Sequence, residues 1–282
     1  MNSSSTNDAV LVLGATGKTG RRVAARLRLA GRPVREASRS SPTPFDWSDP
    51  GGWDAALHGI GAIYLVAPAV PGPAHEFLVR AEAAGVRQVV LLSGRGADTW
   101  GDSAFGRDMR SAEDAVRSAA LEWTILRPNN FDQNFDEELW HAPLLAGELA
   151  LPAGEVPEPF IDVEDVADVA ARVLGEPGRH AGRVYELSGP RAITFGEAVE
   201  VISRASGSPI TYKQISASEY AAALVDDGVG ADDAHHVAEM FVLMERGLIA
   251  ETTDGVATVL GRAPRSFEDF VVRGAAAGAW RR

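Results

Sequence analysis

The run Leu11-Val12-Leu13-Gly14-Ala15-Thr16-Gly17-Lys18-Thr19-Gly20 places three glycines at three-residue spacing after a short apolar segment. Glycine there permits a tight turn and lets backbone N–H groups approach a pyrophosphate, which then rests on the unpartnered amides of the following helix. The chemistry implied is dinucleotide binding by Gly14, Thr16, Gly17, Lys18, Thr19 and Gly20; the plainer alternative is a structural turn. Gly17-Lys18-Thr19 also invites a triphosphate-loop reading, but that pattern requires a glycine where this chain has Val12. An NTPase is therefore excluded. Lys18 reads equally as a phosphate contact or a solvated side chain.

A second group bears on which dinucleotide is bound. The segment Ala37-Ser38-Arg39-Ser40 ends a β-type run. NAD sites end this strand with an acid for the ribose hydroxyls, whereas NADP sites place an arginine nearby. The donor fork of Arg39 suits a 2′-phosphate and Ser40 adds another donor, which favours NADP(H) over NAD(H). Glu36 argues the other way, and Arg39 also reads as a surface arginine. His235 and His236 make no metal site, because adjacent helical residues point about 100° apart and nothing else has ligand spacing with them. Met240 and Met244, one turn apart with Phe241, read as core more than as a flexible pocket wall.

These residues fall at the ends of short runs that a fold must align. From residue 9 to about 187, β-branched runs alternate with amphipathic segments; strands are expected at 9–13, 33–38, 62–67, 88–93, 123–126 and 183–187. Apolar stripes at Val23, Leu27 and Ala30, at Phe77, Leu78, Ala81 and Ala84, and at Ala112, Val116 and Ala119 supply the helices between them. Gly31 and Gly85 stand where C-terminal caps belong. Pro128 ends the fifth strand, and Asp162 with Asp165 opens a helix through Val166, Val169 and Val173. This pattern predicts an α/β fold, a doubly wound parallel sheet of the extended Rossmann type. Beyond Leu187 come two capping boxes, Thr194 with Glu197 and Ser216 with Glu219, a strand at 210–214, and helices near 231–246 and 266–280. The expected division is a dinucleotide domain over 1–190, with 129–160 contributing to the substrate cleft, and a smaller, mainly helical substrate lobe over 191–282.

Composition narrows the partners. The chain has 282 residues and a formal net charge of −12, against the basic face that nucleic acid or an anionic membrane would require. No apolar run approaches the roughly 20 residues that cross a bilayer, and the N-terminal Met-Asn-Ser-Ser-Ser-Thr-Asn-Asp lacks the features of an export signal. A cytoplasmic protein with a small-molecule substrate is expected, with a homo-oligomer or a regulatory protein partner left open. Zero cysteines exclude disulfides, Cys-ligated metal and thiol catalysis.

The chain resembles an atypical short-chain dehydrogenase/reductase of the NmrA-like group, and within it the fungal ergot-alkaloid reductases, the festuclavine and agroclavine dehydrogenase family. The likeness rests on LVLGATGKTG at 11–20, ASRSS at 37–41, FDWSDPGGW at 45–53, IYLVAP at 63–68, GVRQVVLLS at 85–93, EWTILRPNNFDQNF at 122–135, PFIDVEDVADVAA at 159–171 and PRSFEDF at 264–270. The resemblance implies that Asp46 and Trp47 lie near the adenine and that Ala67 and Pro68 border the cofactor. It also implies that the 129–134 segment, with Asn129, Asn130, Phe131 and Asn134, lines the nicotinamide and substrate side. Ser93 joins the cofactor set; Phe105, Met109 and Phe160 join the substrate set. Without the resemblance, Trp47 and Trp53 read as core and Asn129-Asn130 as turn residues after Pro128.

Orthodox short-chain dehydrogenases, as a family, protonate a carbonyl oxygen from the tyrosine of a Tyr-x-x-x-Lys pair. Lys18 and Lys213 are the only lysines, and Gly14 and Pro209 stand four residues before them, so the pair cannot form. At the expected place the chain reads Phe105-Gly-Arg-Asp-Met109. Loss of a positioned acid typically slows carbonyl reduction about 10²–10⁴-fold. An iminium needs no such proton, and aromatic or sulfur-bearing walls suit its cation. The expectation is an NAD(P)H-dependent reductase of an iminium, quinone or similar electrophile of secondary metabolism, with no catalytic side chain assigned. Asp108 and Arg107 read as exposed helix charges. The alternatives are a non-enzymatic redox sensor acting through a protein partner, and an isomerase or lyase that uses the dinucleotide structurally.

Overall fold

The computed structural model describes residues 8–68 and 72–281. Apart from Asp8, the N-terminal segment read for an export signal lies outside them. Among the described residues nine strands are formed: β1 (Ala9–Leu13), β2 (Val34–Ser38), β3 (Thr43–Pro44), β4 (Ile60–Val66), β5 (Gln88–Leu92), β6 (Glu122–Pro128), β7 (Glu148–Leu151), β8 (Arg183–Leu187) and β9 (Thr211–Gln214). Helices α1 (Lys18–Leu29), α2 (Trp53–Leu57), α3 (Pro73–Ala83), α4 (Ala104–Ser118), α5 (His141–Ala146) and α6 (Val163–Gly175) lie between the strands of the first part. In the second part stand α7 (Phe195–Ser206), α8 (Ala217–Asp226), α9 (Ala231–Met244), α10 (Gly255–Leu260) and α11 (Phe267–Ala277).

Seven strands join in the order β3-β2-β1-β4-β5-β6-β8, every pair parallel. The period-2 alternation of a strand decides how the sheet is covered. Leu11 and Leu13 of β1 enter a core with Trp53, Phe77, Leu78 and Val116 from α2, α3 and α4. Val10 and Val12 enter the opposite core with Val23 and Leu27 of α1 and Val166, Val169 and Val173 of α6. Both faces are buried, as a parallel sheet requires. The expected α/β Rossmann class is therefore borne out, and the six expected strands of the main sheet lie within two residues of their expected ends.

The smaller lobe has its own aromatic core, in which Phe135, Trp140, Phe160, Phe195, Phe241, Phe267 and Trp280 pack together. Both capping boxes form, with Thr194 and Ser216 accepting from the backbone of Glu197 and Glu219. The lobe departs from a division at residue 190. β7 pairs with β9 in parallel, so residues 148–151 are built into the lobe rather than merely edging the cleft. Conversely α10 returns to the main sheet, where Val256 and Val259 join the core of α1 and α6.

One close approach organises the first crossover. Gly14 takes a left-handed φ of +63°, a conformation that L side chains rarely adopt. The chain then doubles back so tightly that a Cβ on Gly20 would lie 2.2 Å from the Gly14 carbonyl oxygen. The helix start and the turn share space that only hydrogen fits. Gly20→Ala is expected to lower unfolding stability by about 1–3 kcal/mol through overpacking and to weaken dinucleotide binding with it. Thermal melts and a nucleotide titration check this; wild-type behaviour in both contradicts the packing role.

Candidate functional site

The loop after β1 leaves donors exposed. Gly17 is the N-cap of α1, and among the described residues no side chain caps the helix's first amides. The Gly17 N–H itself closes the turn, donating to the Gly14 carbonyl at 2.9 Å. Over these amides opens a cavity of about 830 Å³ lined by Gly14, Thr16, Gly17, Lys18 and Thr19, by Ser38 at the end of β2 with Arg39 and Ser40 just after it, by Asp46 and Trp47, and by Ala67 and Pro68 beyond β4. A row of bare amides and glycine backbone at a helix start suits a pyrophosphate, and the residues present fit a dinucleotide. Glu36, the acid that argued for NAD, does not line this cavity; it pairs with Arg28 at 2.7 Å.

Of the expected cofactor residues, two lie elsewhere. Gly20 is buried behind the turn, where it allows the close packing described above. Ser93 lines the neighbouring cavity, and its hydroxyl donates to Glu113 at 2.7 Å. The tryptophans divide. Trp53 is core, 1% exposed, with its Nε1 donating to the Asp46 carbonyl at 2.9 Å. Trp47 packs edge-on against Phe45, Trp53 and Phe77 and still reaches the cavity.

A second cavity of about 310 Å³ adjoins the first and shares Lys18, Val66, Ala67, Leu92 and Phe131 with it. Helix α4 contributes Phe105 and Met109, one turn apart, and the loop after β6 contributes Asn129, Asn130 and Asn134. Phe160 does not belong here. It is 2% exposed, enclosed by Phe135, Trp140, Phe195 and Phe267, because the lobe needs a hydrophobic centre at that point. Sequence reasoning missed Arg95, Trp100 and Ile249 in the cavity wall. Arg95 and Trp100 follow the carboxyl end of β5, and strand ends of this kind face the ligand crevice, so the position was the available signal. Met240 lines the cavity while Met244 is buried beside it, its sulfur 3.6 Å from the Asn130 amide nitrogen. Asp108 and Arg107 line neither cavity. His235 and His236 are exposed, and no metal-binding cluster occurs among the described residues.

Polar side chains hold the walls in place. Lys18 reaches across to the Asn134 amide oxygen at 2.6 Å and Glu138 at 2.9 Å, tying the phosphate loop to the segment after β6. Buried Glu113 accepts a two-pronged pair from Arg127 at 2.7 and 2.8 Å and meets a second cation, Arg117, at 2.8 Å. Burial alone would raise the Glu113 carboxyl, but Arg127 and Ser93 hold it below the usual range. Glu158 is buried behind Asn129 and Asn130, accepting from both side chains and the Asn130 backbone. Desolvation dominates there and its pKa is raised.

The comparisons with known proteins agree with this geometry. Residues 14–177 match the family described as NAD(P)H-binding, and residues 105–271 match the NmrA-like family. The chain belongs to the NmrA-like family. An NAD(P)H azoreductase of Xenophilus azovorans is 30% identical over 95% of this chain and 98% of its own. Festuclavine synthase I of Penicillium roqueforti is 32% identical over 93% and 96%. An NADPH-dependent quinone oxidoreductase of Escherichia coli superposes with a TM-score of 0.79 at 25% identity, covering 94% of this chain and 98% of that one. With relatives of this kind the chain is an NAD(P)H-dependent oxidoreductase of the atypical short-chain dehydrogenase type. No helix among the described residues is long and apolar enough to cross a membrane.

The segment after β6 also carries a buried carboxyl group. Asp132 is fully buried, and among the described residues neither of its carboxyl oxygens has a hydrogen-bond partner. Burial first, and then Asp162, push its pKa well above the carboxylate range. Nearby Asp136 is pushed up to about 6 by burial and by Glu137. A group whose folded pKa is raised destabilises the fold progressively as pH climbs from its unfolded value toward its folded one. Asp132→Asn removes one such group. It is expected to raise the melting temperature by more at pH 8 than at pH 5; a gain that is larger at pH 5 contradicts this.

Proposed function

We propose that the chain binds NADPH along the larger cavity and reduces an electron-poor conjugated acceptor, an iminium, a quinone or a related electrophile, in the smaller one. The observation that carries this is the junction itself: the two cavities meet at Lys18, Val66, Ala67, Leu92 and Phe131. In this fold the nicotinamide end of a dinucleotide lies beyond the carboxyl ends of the central strands, which is where the smaller cavity opens. Bound there, NADPH supplies a hydride.

The chain's own residues bind, orient and exclude water. The bare amides at the start of α1 and the cation of Lys18 bind the pyrophosphate, and Arg39 with Ser40 meets the 2′-phosphate. The walls formed by Trp100, Phe105, Met109, Phe131 and Met240 press a planar acceptor against the nicotinamide and keep water out. None of the four tyrosines lines either cavity, and the Ser93 hydroxyl is committed to Glu113. A proton needed after transfer therefore comes from solvent, which restricts the acceptor to groups that tolerate reduction without a positioned acid. A redox sensor without turnover has no use for the second, apolar cavity, and this favours a reductase. The cytosol, which holds an NADPH pool, suits such an enzyme.

Two measurements test the reading. Purified protein is expected to oxidise NADPH, followed at its near-ultraviolet absorbance, when a quinone or a cyclic iminium is added; inertness toward both classes contradicts a reductase. Arg39→Ala is expected to weaken NADPH about 10–100-fold, the loss of charge-assisted hydrogen bonds worth about 1.5–3 kcal/mol, and to leave NADH within about twofold. Equal loss for both nucleotides contradicts the role of Arg39.

A further inference from the structure

A protein of net charge −12, with 39 acidic and 27 basic residues, lines its smaller cavity, among the described residues, with two cations, Lys18 and Arg95, and no acid. Lys18 is already answered by Glu138 at 2.9 Å. Arg95 is not answered in the same way. Its side chain is 8% exposed, and among the described residues its polar partners all stand far off: the Asn129 amide oxygen at 3.4 Å, the Glu251 carbonyl at 3.5 Å and a Glu186 carboxylate oxygen at 3.6 Å. Glu186 also lies 3.8 Å from Arg127, itself saturated by Glu113 and Asp98, and is 39% exposed. The buried Glu158 stands behind the asparagines and directs its bonded oxygen to their N–H groups. A guanidinium carries five donors, and taking one out of water without close partners is costly. The two cases stand side by side, since the Arg95 backbone N–H donates to the carbonyl of Pro128, next to Arg127 on β6: Arg127 has the tight two-pronged partner that Arg95 lacks.

Resting on the reductase reading above, we infer that Arg95 is a specificity-determining residue that receives an oxygen of the substrate bearing negative charge. That oxygen belongs either to a permanent anion, such as a carboxylate, sulfonate or phosphate, or to a carbonyl that becomes anionic on reduction. In the second case hydride from NADPH adds two electrons and one hydrogen to a quinone, leaving NADP⁺ and a hydroquinonate whose oxygen takes its proton from water. The same residue disfavours a cationic acceptor: in a low-dielectric cavity a substrate cation meets the Arg95 charge without an intervening acid. Iminium substrates, which the missing tyrosine alone would permit, are thereby placed behind quinones and anionic carbonyl compounds.

The test compares probes of one shape and three charges on the NADP⁺-saturated protein: naphthalene-2-sulfonate, 2-naphthamide and 2-naphthylmethylammonium, titrated by calorimetry. Wild type is expected to bind the sulfonate at least about tenfold more tightly than the ammonium compound, with the amide between. Arg95→Gln is expected to abolish that order and Arg95→Lys to keep most of it, with NADPH affinity unchanged in both. Equal binding of sulfonate and ammonium by wild type, or the same preference in Arg95→Gln, overturns the assignment. If Arg95→Gln does not fold, the wild-type and Arg95→Lys orders still decide. Kinetics with 1,2-naphthoquinone and its 4-sulfonate separate the two sources of charge. A raised KM for the sulfonate alone in Arg95→Gln marks a permanent anion, and a fall in kcat for both marks the developing oxyanion. Probe binding needs no turnover, so a wild type that selects the sulfonate and yet reduces nothing sinks the reductase reading and leaves this one standing.

Discussion

The structure depends on the contact between Gly14 and Gly20. A carbonyl and a helix start approach so closely that no Cβ fits between them, and the helix that begins there has glycine, with no side-chain cap, at its N-cap. Everything downstream inherits that geometry. The amides define one end of the larger cavity, Lys18 carries the loop across to Asn134 and Glu138, and the segment after β6 is thereby fixed as the wall shared with the smaller cavity. A few hydrogen atoms at the crossover thus set where a dinucleotide and an acceptor would meet.

Buried charge does the second half of the positioning. Glu113 draws Arg127, Arg117 and Ser93 together beneath the carboxyl ends of β5 and β6, and Glu158 holds the amides of Asn129 and Asn130. Buried pairs of this kind rarely add net stability over apolar packing, because both charges are desolvated. Their value here is geometric: they keep two strand ends and one loop at fixed spacing around an otherwise apolar cavity. Arg95 stands out against that background as a buried cation that, among the described residues, lacks a close partner.

Much of this was legible in the sequence. The strand–glycine–helix run, the alternating stripes and the capping boxes at Thr194 and Ser216 are local signals, and local chemistry determines them. The short elements escaped notice. β3 is an edge pair of residues, β7 exists only through pairing with β9, and α5 and α10 are single turns or little more, so none carries a period long enough to read. The site divides in the same way. Residues on the glycine loop and at the end of β2 could be named because backbone geometry requires them there. Phe160 was misassigned because a family-like segment does not reveal which face of a bend turns inward. Arg95 and Trp100 lay in a loop whose path depends on packing against Gly94 and Gly96, where a Cβ would strike the rings of Phe105 and Trp100.

The central claim is that the uncapped amides at the start of α1 hold a pyrophosphate. Titrating NADP⁺ into ¹⁵N-labelled protein and following backbone amide resonances tests it most directly. The account predicts saturable shifts centred on Gly17, Lys18 and Thr19, with smaller ones at Arg39 and Ser40. Saturable binding that leaves those amides unmoved, or no binding at all, contradicts it.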